Sequence, residues 1–183
     1  MTKNTIIGSF ILALALVIGA GLYLSYDRDK SATTSTPGAF NSKDIGLSFT
    51  YPVNYQLDIA DDEEGAVRTI TLIDKANLPV GQNTEGPPAI TIQRFDNPEN
   101  LALDQWILTT PASNYHLSSM GEMGGSTIDG EAGLGYTYSG LYENTAIAVA
   151  HGGKIYLFVV GTLTPEDTIK SDYFTILESV KFI

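Results

Sequence analysis

Hydrophobic and polar residues divide the chain into three stretches with different periods. Residues 5–24, TIIGSFILALALVIGAGLYL, run for twenty positions without a charge. A helix of that length, at about 1.5 Å per residue, spans about 30 Å of hydrocarbon. Lys3 precedes the run, and Tyr23 and Tyr26 stand at its far end, where amphipathic rings settle among lipid headgroups. The pattern predicts a membrane anchor over 1–26 with a single transmembrane helix and a cytoplasmic N-terminus. A cleaved signal peptide is the competing reading, since Gly19, Ala20 and Gly21 are small. The apolar run, however, exceeds the about 7 to 15 residues of a signal core. Either reading puts the remainder outside the cytoplasm, and the first makes the protein single-pass in the cell membrane. Residues 27–43, DRDKSATTSTPGAFNSK, have no apolar period and are rich in Ser, Thr, Gly and Pro, which predicts a flexible linker with a reach of about 23 Å.

From residue 44 alternation with period two takes over. Leu47, Phe49 and Tyr51 share a strand face that Pro52 ends, and Val67, Ile70, Leu72 and Ile73 belong to a second strand region. Pro87 and Pro88 break the chain before a strand over Ala89–Phe95. Asn97 as a cap, Pro98 and Glu99 in a first turn, and Leu101, Leu103, Trp106 and Ile107 as apolar bulk predict a short helix over Asn97–Leu108. An antiparallel meander begins at Ser126: Asp129-Gly130 is a type I′ turn signal, Gly135–Ser139 and Thr145–Ala150 are strands, and Gly152-Gly153 turns the chain into Lys154–Thr162. The near-continuous apolar run Ile155–Val160 predicts a central strand covered on both faces. Thr164 as cap, Pro165 at the first helical position and Glu166 and Asp167 in the first turn predict the final helix. Ile169, Tyr173, Ile176, Leu177 and Val180 form its buried stripe. The expected fold class is α+β: an antiparallel sheet flanked by helices on both faces, over 44–183.

Three stretches carry a resemblance. Gly46-Leu47-Ser48-Phe49-Thr50-Tyr51-Pro52, the Gly140-Leu141-Tyr142 segment of the meander, and Phe174–Phe182 at the end resemble the bacterial PsbP-like proteins. That superfamily includes the extrinsic photosystem II subunit and a nuclear import factor that binds the GTPase Ran. The resemblance covers residues 44–183 and implies a sheet sandwiched between helices. It transfers no site residue, because the matched positions are strand ends and helix stripes, and the anchor and linker depart from the photosynthetic members.

The chain has 183 residues and a net charge of −11, unevenly spread. Residues 1–43 hold four bases against two acids, leaving six bases against nineteen acids, or −13, in the rest. Such a surface repels polyanions, whose binding depends on lysine and arginine releasing counterions, and nucleic acid is not an expected partner. With no cysteine, thiolate nucleophiles, disulfides and cysteine metal sites are excluded.

Candidate chemistry is sparse. No G-x-S-x-G, HExxH, GK[ST] or GxGxxG pattern occurs, and Gly121, Gly124 and Gly125 read as a connector. His151 reads as a turn residue and His116 as part of the polar loop Pro111–Ser119. Asp61, Asp62, Glu63 and Glu64 form the densest acidic run and the candidate metal ligands, suited to weak calcium binding, against the alternative of a solvated hairpin tip. Tyr136, Tyr138 and Tyr142 are the candidate binding surface, against the alternative that a helix covers one side of their sheet. Trp106 reads as core. These readings point to a noncatalytic binding or assembly module without a cofactor, membrane-bound through residues 5–24, with a protein of the cell envelope as partner. The alternatives are a metal-dependent or carboxylate-driven hydrolase of envelope material using acids such as Asp61 or Glu64, and a divalent-cation-responsive sensor.

Overall fold

The computed structural model describes residues 37–62, 67–78 and 86–183. The expected transmembrane span at 5–24, residues 27–36 of the expected linker, and Glu63 and Glu64 lie outside the described residues. No helix among the described residues is long and apolar enough to cross a membrane.

Among the described residues ten strands form two antiparallel sheets. The larger has the order β3 (Tyr55–Asp61), β4 (Val67–Asp74), β5 (Ile90–Asp96), β9 (Lys154–Thr162), β8 (Glu143–His151), β7 (Glu131–Ser139) and β6 (Gly124–Ile128). The smaller has the order β1 (Gly38–Ser42), β2 (Leu47–Tyr51) and β10 (Lys181–Phe182). Strand β9 lies fourth of seven, as its unbroken apolar run predicts. Alternation along it feeds two cores: Tyr156, Phe158 and Val160 point to one face and Ile155, Leu157 and Val159 to the other. Among the described residues each face carries one α-helix. Helix α1 (Leu103–Thr109) brings Trp106 and Ile107 to the second face. Helix α2 (Thr168–Ser179) brings Ile169, Tyr173, Ile176 and Leu177 to the first, beside the small sheet. A sheet with helices on both faces is therefore the observed architecture.

Several expected boundaries move. Gly38–Ser42, read as the end of the linker, is strand β1, which pairs Phe40 with Phe49 and stacks their rings at 4.9 Å. Helix α1 begins at Leu103 and not at Asn97, because the Asn97 side chain is committed elsewhere. It accepts from Leu101 N–H at 3.0 Å and donates to Leu101 C=O at 3.1 Å, closing an irregular loop. Helix α2 begins one turn later than Thr164-Pro165 predicts. Asp167 is its cap, accepting from Leu163 and Ile169 N–H at 3.4 Å each, while Thr164 C=O accepts from Asp167 N–H in a preceding turn. Gly124 and Gly125, read as connector, open β6.

The hairpin turns behave as expected. Asp129 and Gly130 have φ of 50° and 83°, and Gly152 and Gly153 have 57° and 74°, the paired positive values of a type I′ turn. Gly133 is required for a different reason. A Cβ there would stand 2.8 Å from the Ala148 carbonyl oxygen and 3.0 Å from a Val149 methyl, both on the paired strand β8. Gly133→Ala should cost about 1–3 kcal/mol by overpacking, read as a lower denaturant midpoint with an unchanged m-value.

The chain end is held by charge. Asp129 accepts from Lys181 Nζ at 2.6 Å and from Phe182 N–H at 3.0 Å, while Phe182 stacks on His151 with centroids 4.4 Å apart. The Lys181 hydrogen bond, followed by the Phe182 amide, holds the Asp129 carboxyl below its ordinary value near 3.8. Because the folded value is the lower one, this attachment is complete above the ordinary value and is lost as pH falls through the folded value. The attachment of Phe182 N–H and Lys181 to Asp129 should consequently loosen at a pH below about 4. Amide exchange of Phe182 followed against pH checks this, and protection of Phe182 that persists until global unfolding would contradict it.

Candidate functional site

A cleft of about 420 Å³ opens beside α1, where β4 begins and β5 ends. Its floor is aromatic. Phe95 leaves the sheet on the second face and meets Trp106 with ring centroids 5.1 Å apart and planes 54° apart. Both rings are nearly buried, and Val67 and Leu101 pack partly exposed around them. The wall is the loop Asp96–Ala102, which the Asn97 bonds to Leu101 fix and Asn100, at φ 49°, turns.

Asp96 and Glu99 stand on the rim. Asp96 accepts from Lys154 Nζ at 2.7 Å and lies 3.8 Å from Arg94. The Lys154 hydrogen bond holds the Asp96 carboxyl below the usual carboxylate range. Asp96 is thus a fixed negative charge and not a proton donor near neutral pH. An apolar floor with a charged rim suits recognition: the floor supplies area and the rim supplies orientation.

The sequence-based candidates fall elsewhere. Tyr136 and Tyr138 share a face, as alternation requires, and that face is buried. The 3-10 turns Pro111–Ser113 and Tyr115–Leu117 cover them. Tyr136 Oη donates to Ser113 C=O at 2.7 Å, and its ring meets Tyr115 edge-on at 5.3 Å. Burial raises both phenol pKa values, keeping them neutral. Tyr142 is half-buried and donates to the Gly86 carbonyl. Asp61 lies opposite Arg68 in the β3–β4 register with Nε to carboxylate at 3.5 Å, and Asp62 N–H donates to Val67 C=O. Asp61 is the last residue of β3 and Asp62 follows it. Among the described residues no three His, Asp or Glu side chains are grouped so as to hold a metal ion. His116 is exposed, and His151 Nδ1 lies 2.9 Å from Glu131 Oε1. The cleft residues Phe95, Asp96, Asn97 and Leu101 were hidden by the expectation of a helix from Asn97. The Asn-Pro-Glu-Asn run at 97–100 was the available signal for a shaped loop.

This fold is PsbP-like. The chain is similar to the solution structure of cyanobacterial PsbP (CyanoP) from Synechocystis sp. PCC 6803, with a TM-score of 0.56 and 14% identity over 84% of this chain and 96% of that one. A crystal structure from Bacteroides thetaiotaomicron matches with a TM-score of 0.49 and 9% identity, over 81% of this chain and 49% of that one. No protein-family model matches the chain, and no curated protein matches it.

Proposed function

We propose that the protein is a membrane-tethered, extracytoplasmic domain that acts as a noncatalytic binding or assembly module, with the Phe95–Trp106 cleft as its contact site. The cleft chemistry carries this reading: a buried aromatic pair lies under a rim whose carboxylate Asp96 is kept ionised by Lys154. A general acid at neutral pH needs a carboxyl whose pKa is raised, and Asp96 is displaced the other way. The PsbP-like fold supports a domain that offers surfaces, and the apolar run at 5–24 supports the tether.

The test is site-specific photo-crosslinking of the full-length chain in its native membrane. The crosslinking residue replaces Leu101 in the cleft or, as a control outside it, Asp58 on the edge strand β3. One discrete protein adduct from Leu101 that is absent from Asp58 is the expected result. Indiscriminate adducts from both positions would contradict the binding reading. So would turnover of a substrate by the purified chain that a Leu101→Asp change abolishes.

A further inference from the structure

A second surface lies four strands from the cleft, about 19 Å across the sheet at the usual strand spacing. Strand β6 ends the order of the large sheet and pairs, among the described residues, with β7 alone. The two sheet edges differ. Edge strands are ordinarily protected by charge, proline or a bulge, and β3 carries Asp58 and Asp61. Strand β6, GGSTI, carries none of these. Its backbone orientation follows from the turn. Ile128 and Glu131 flank the two-residue turn and exchange both hydrogen bonds, so by alternation Gly125 and Thr127 aim N–H and C=O outward.

Beside this edge runs a groove of about 320 Å³ between β6 and α2. Ser126, Ile128 and Ile147 line it from the sheet, where side chains are sparse because Gly124 and Ser126 lie opposite Gly135 and Gly133. Phe174, 42% exposed, and Glu178 overlook it from α2. They are four residues apart and so share a helix face, about 6 Å apart along the axis. Alternate residues of a strand are about 6.7 Å apart, a similar repeat. Glu178 takes part in no ion pair among the described residues, whereas Asp129 beside it is occupied by Lys181.

We infer that β6 is a strand-addition site for an extended segment of a partner protein, whose groove-facing side chains are apolar and then basic. The added strand bonds to Gly125 and Thr127, its apolar residue packs on Phe174, and its lysine or arginine meets Glu178. This goes beyond the cleft and uses none of its residues.

The probe is the capped peptide Thr-Val-Thr-Lys-Thr-Val-Thr, labelled for fluorescence anisotropy and titrated into the full-length chain. The version with Glu in place of Lys is the charge control. Binding at least tenfold tighter for the lysine peptide is expected, with slowed amide exchange at Gly125 and Thr127. Thr127→Pro removes one outward donor without breaking the β7 ladder and should weaken binding at least tenfold with an unchanged melting temperature. Should it also unfold the chain, Glu178→Gln should still erase the preference for lysine over glutamate. Equal binding of the two peptides, exchange protection elsewhere, or no binding would overturn the inference. A dimer in sedimentation that Thr127→Pro dissociates would overturn it in favour of a second copy as occupant. Adducts at Leu101 would be untouched by any of these outcomes, so the two proposals fail separately.

Discussion

Tyr173→Ala should lower stability by about 3–5 kcal/mol, the range for emptying a buried aromatic site, and the melting temperature by roughly 10 °C or more. Tyr173 is fully buried at the centre of the α2 stripe. It packs among Phe158, Ile176 and Leu177 in the first core and donates to Phe158 C=O at 3.1 Å. Tyr173→Phe separates ring from hydroxyl. Phe158 belongs to a strand paired on both sides, so its carbonyl already has a ladder partner and loses only a supplementary bond. The phenylalanine variant should therefore cost about 1 kcal/mol. Urea unfolding of the three proteins checks both values. A phenylalanine variant as unstable as the alanine one would mean that the hydroxyl, and not the ring, holds α2 to the sheet.

Elements that carry a long apolar run or a full buried stripe were legible. Strand β9 announces itself by six consecutive apolar residues, and α2 by five expected stripe positions, all buried, of which four lie in the helix and Val180 is its C-cap. Strands β1 and β10 were not legible. Both pair with β2, and β10 reaches it across more than 130 residues, so nothing local marks Lys181-Phe182 as a strand. Strand β3 was missed although Tyr55, Leu57 and Ile59 alternate with Gln56 and Asp58, because only Tyr55 is buried. That is the composition of a protected edge. The start of α2 was displaced because Thr164-Pro165-Glu166 is locally as good a cap as Asp167. The chain leaving β9 at Thr162 needs the intervening residues to turn, and Asp167 is where the turn ends. The cleft was illegible for a related reason: its shape depends on two Asn97 side-chain hydrogen bonds, and composition encodes them less clearly than it encodes a helix start.

Trp106→Ala should cost a similar about 3–5 kcal/mol and, unlike Tyr173→Ala, should also remove the cleft floor. Trp106 is 4% exposed and is the chain's single tryptophan, so its emission reports this site without interference. In the folded protein the emission should be that of a buried indole, shifting to the red on unfolding together with the far-ultraviolet circular dichroism. Stability and recognition can then be separated at Leu101, which is partly exposed on the cleft wall. Leu101→Asp places a charge on the apolar wall while leaving the Phe95–Trp106 contact in place. Its own backbone keeps both Asn97 hydrogen bonds, because these use the Leu101 N–H and C=O and not the side chain. The variant should keep the native emission maximum and most of its stability, yet lose the adduct that a crosslinking residue at Pro98, on the same rim, forms in the parent chain. An adduct unaffected by Leu101→Asp would show that the partner touches the rim without entering the cleft. In that case the Phe95–Trp106 pair would belong to the core alone.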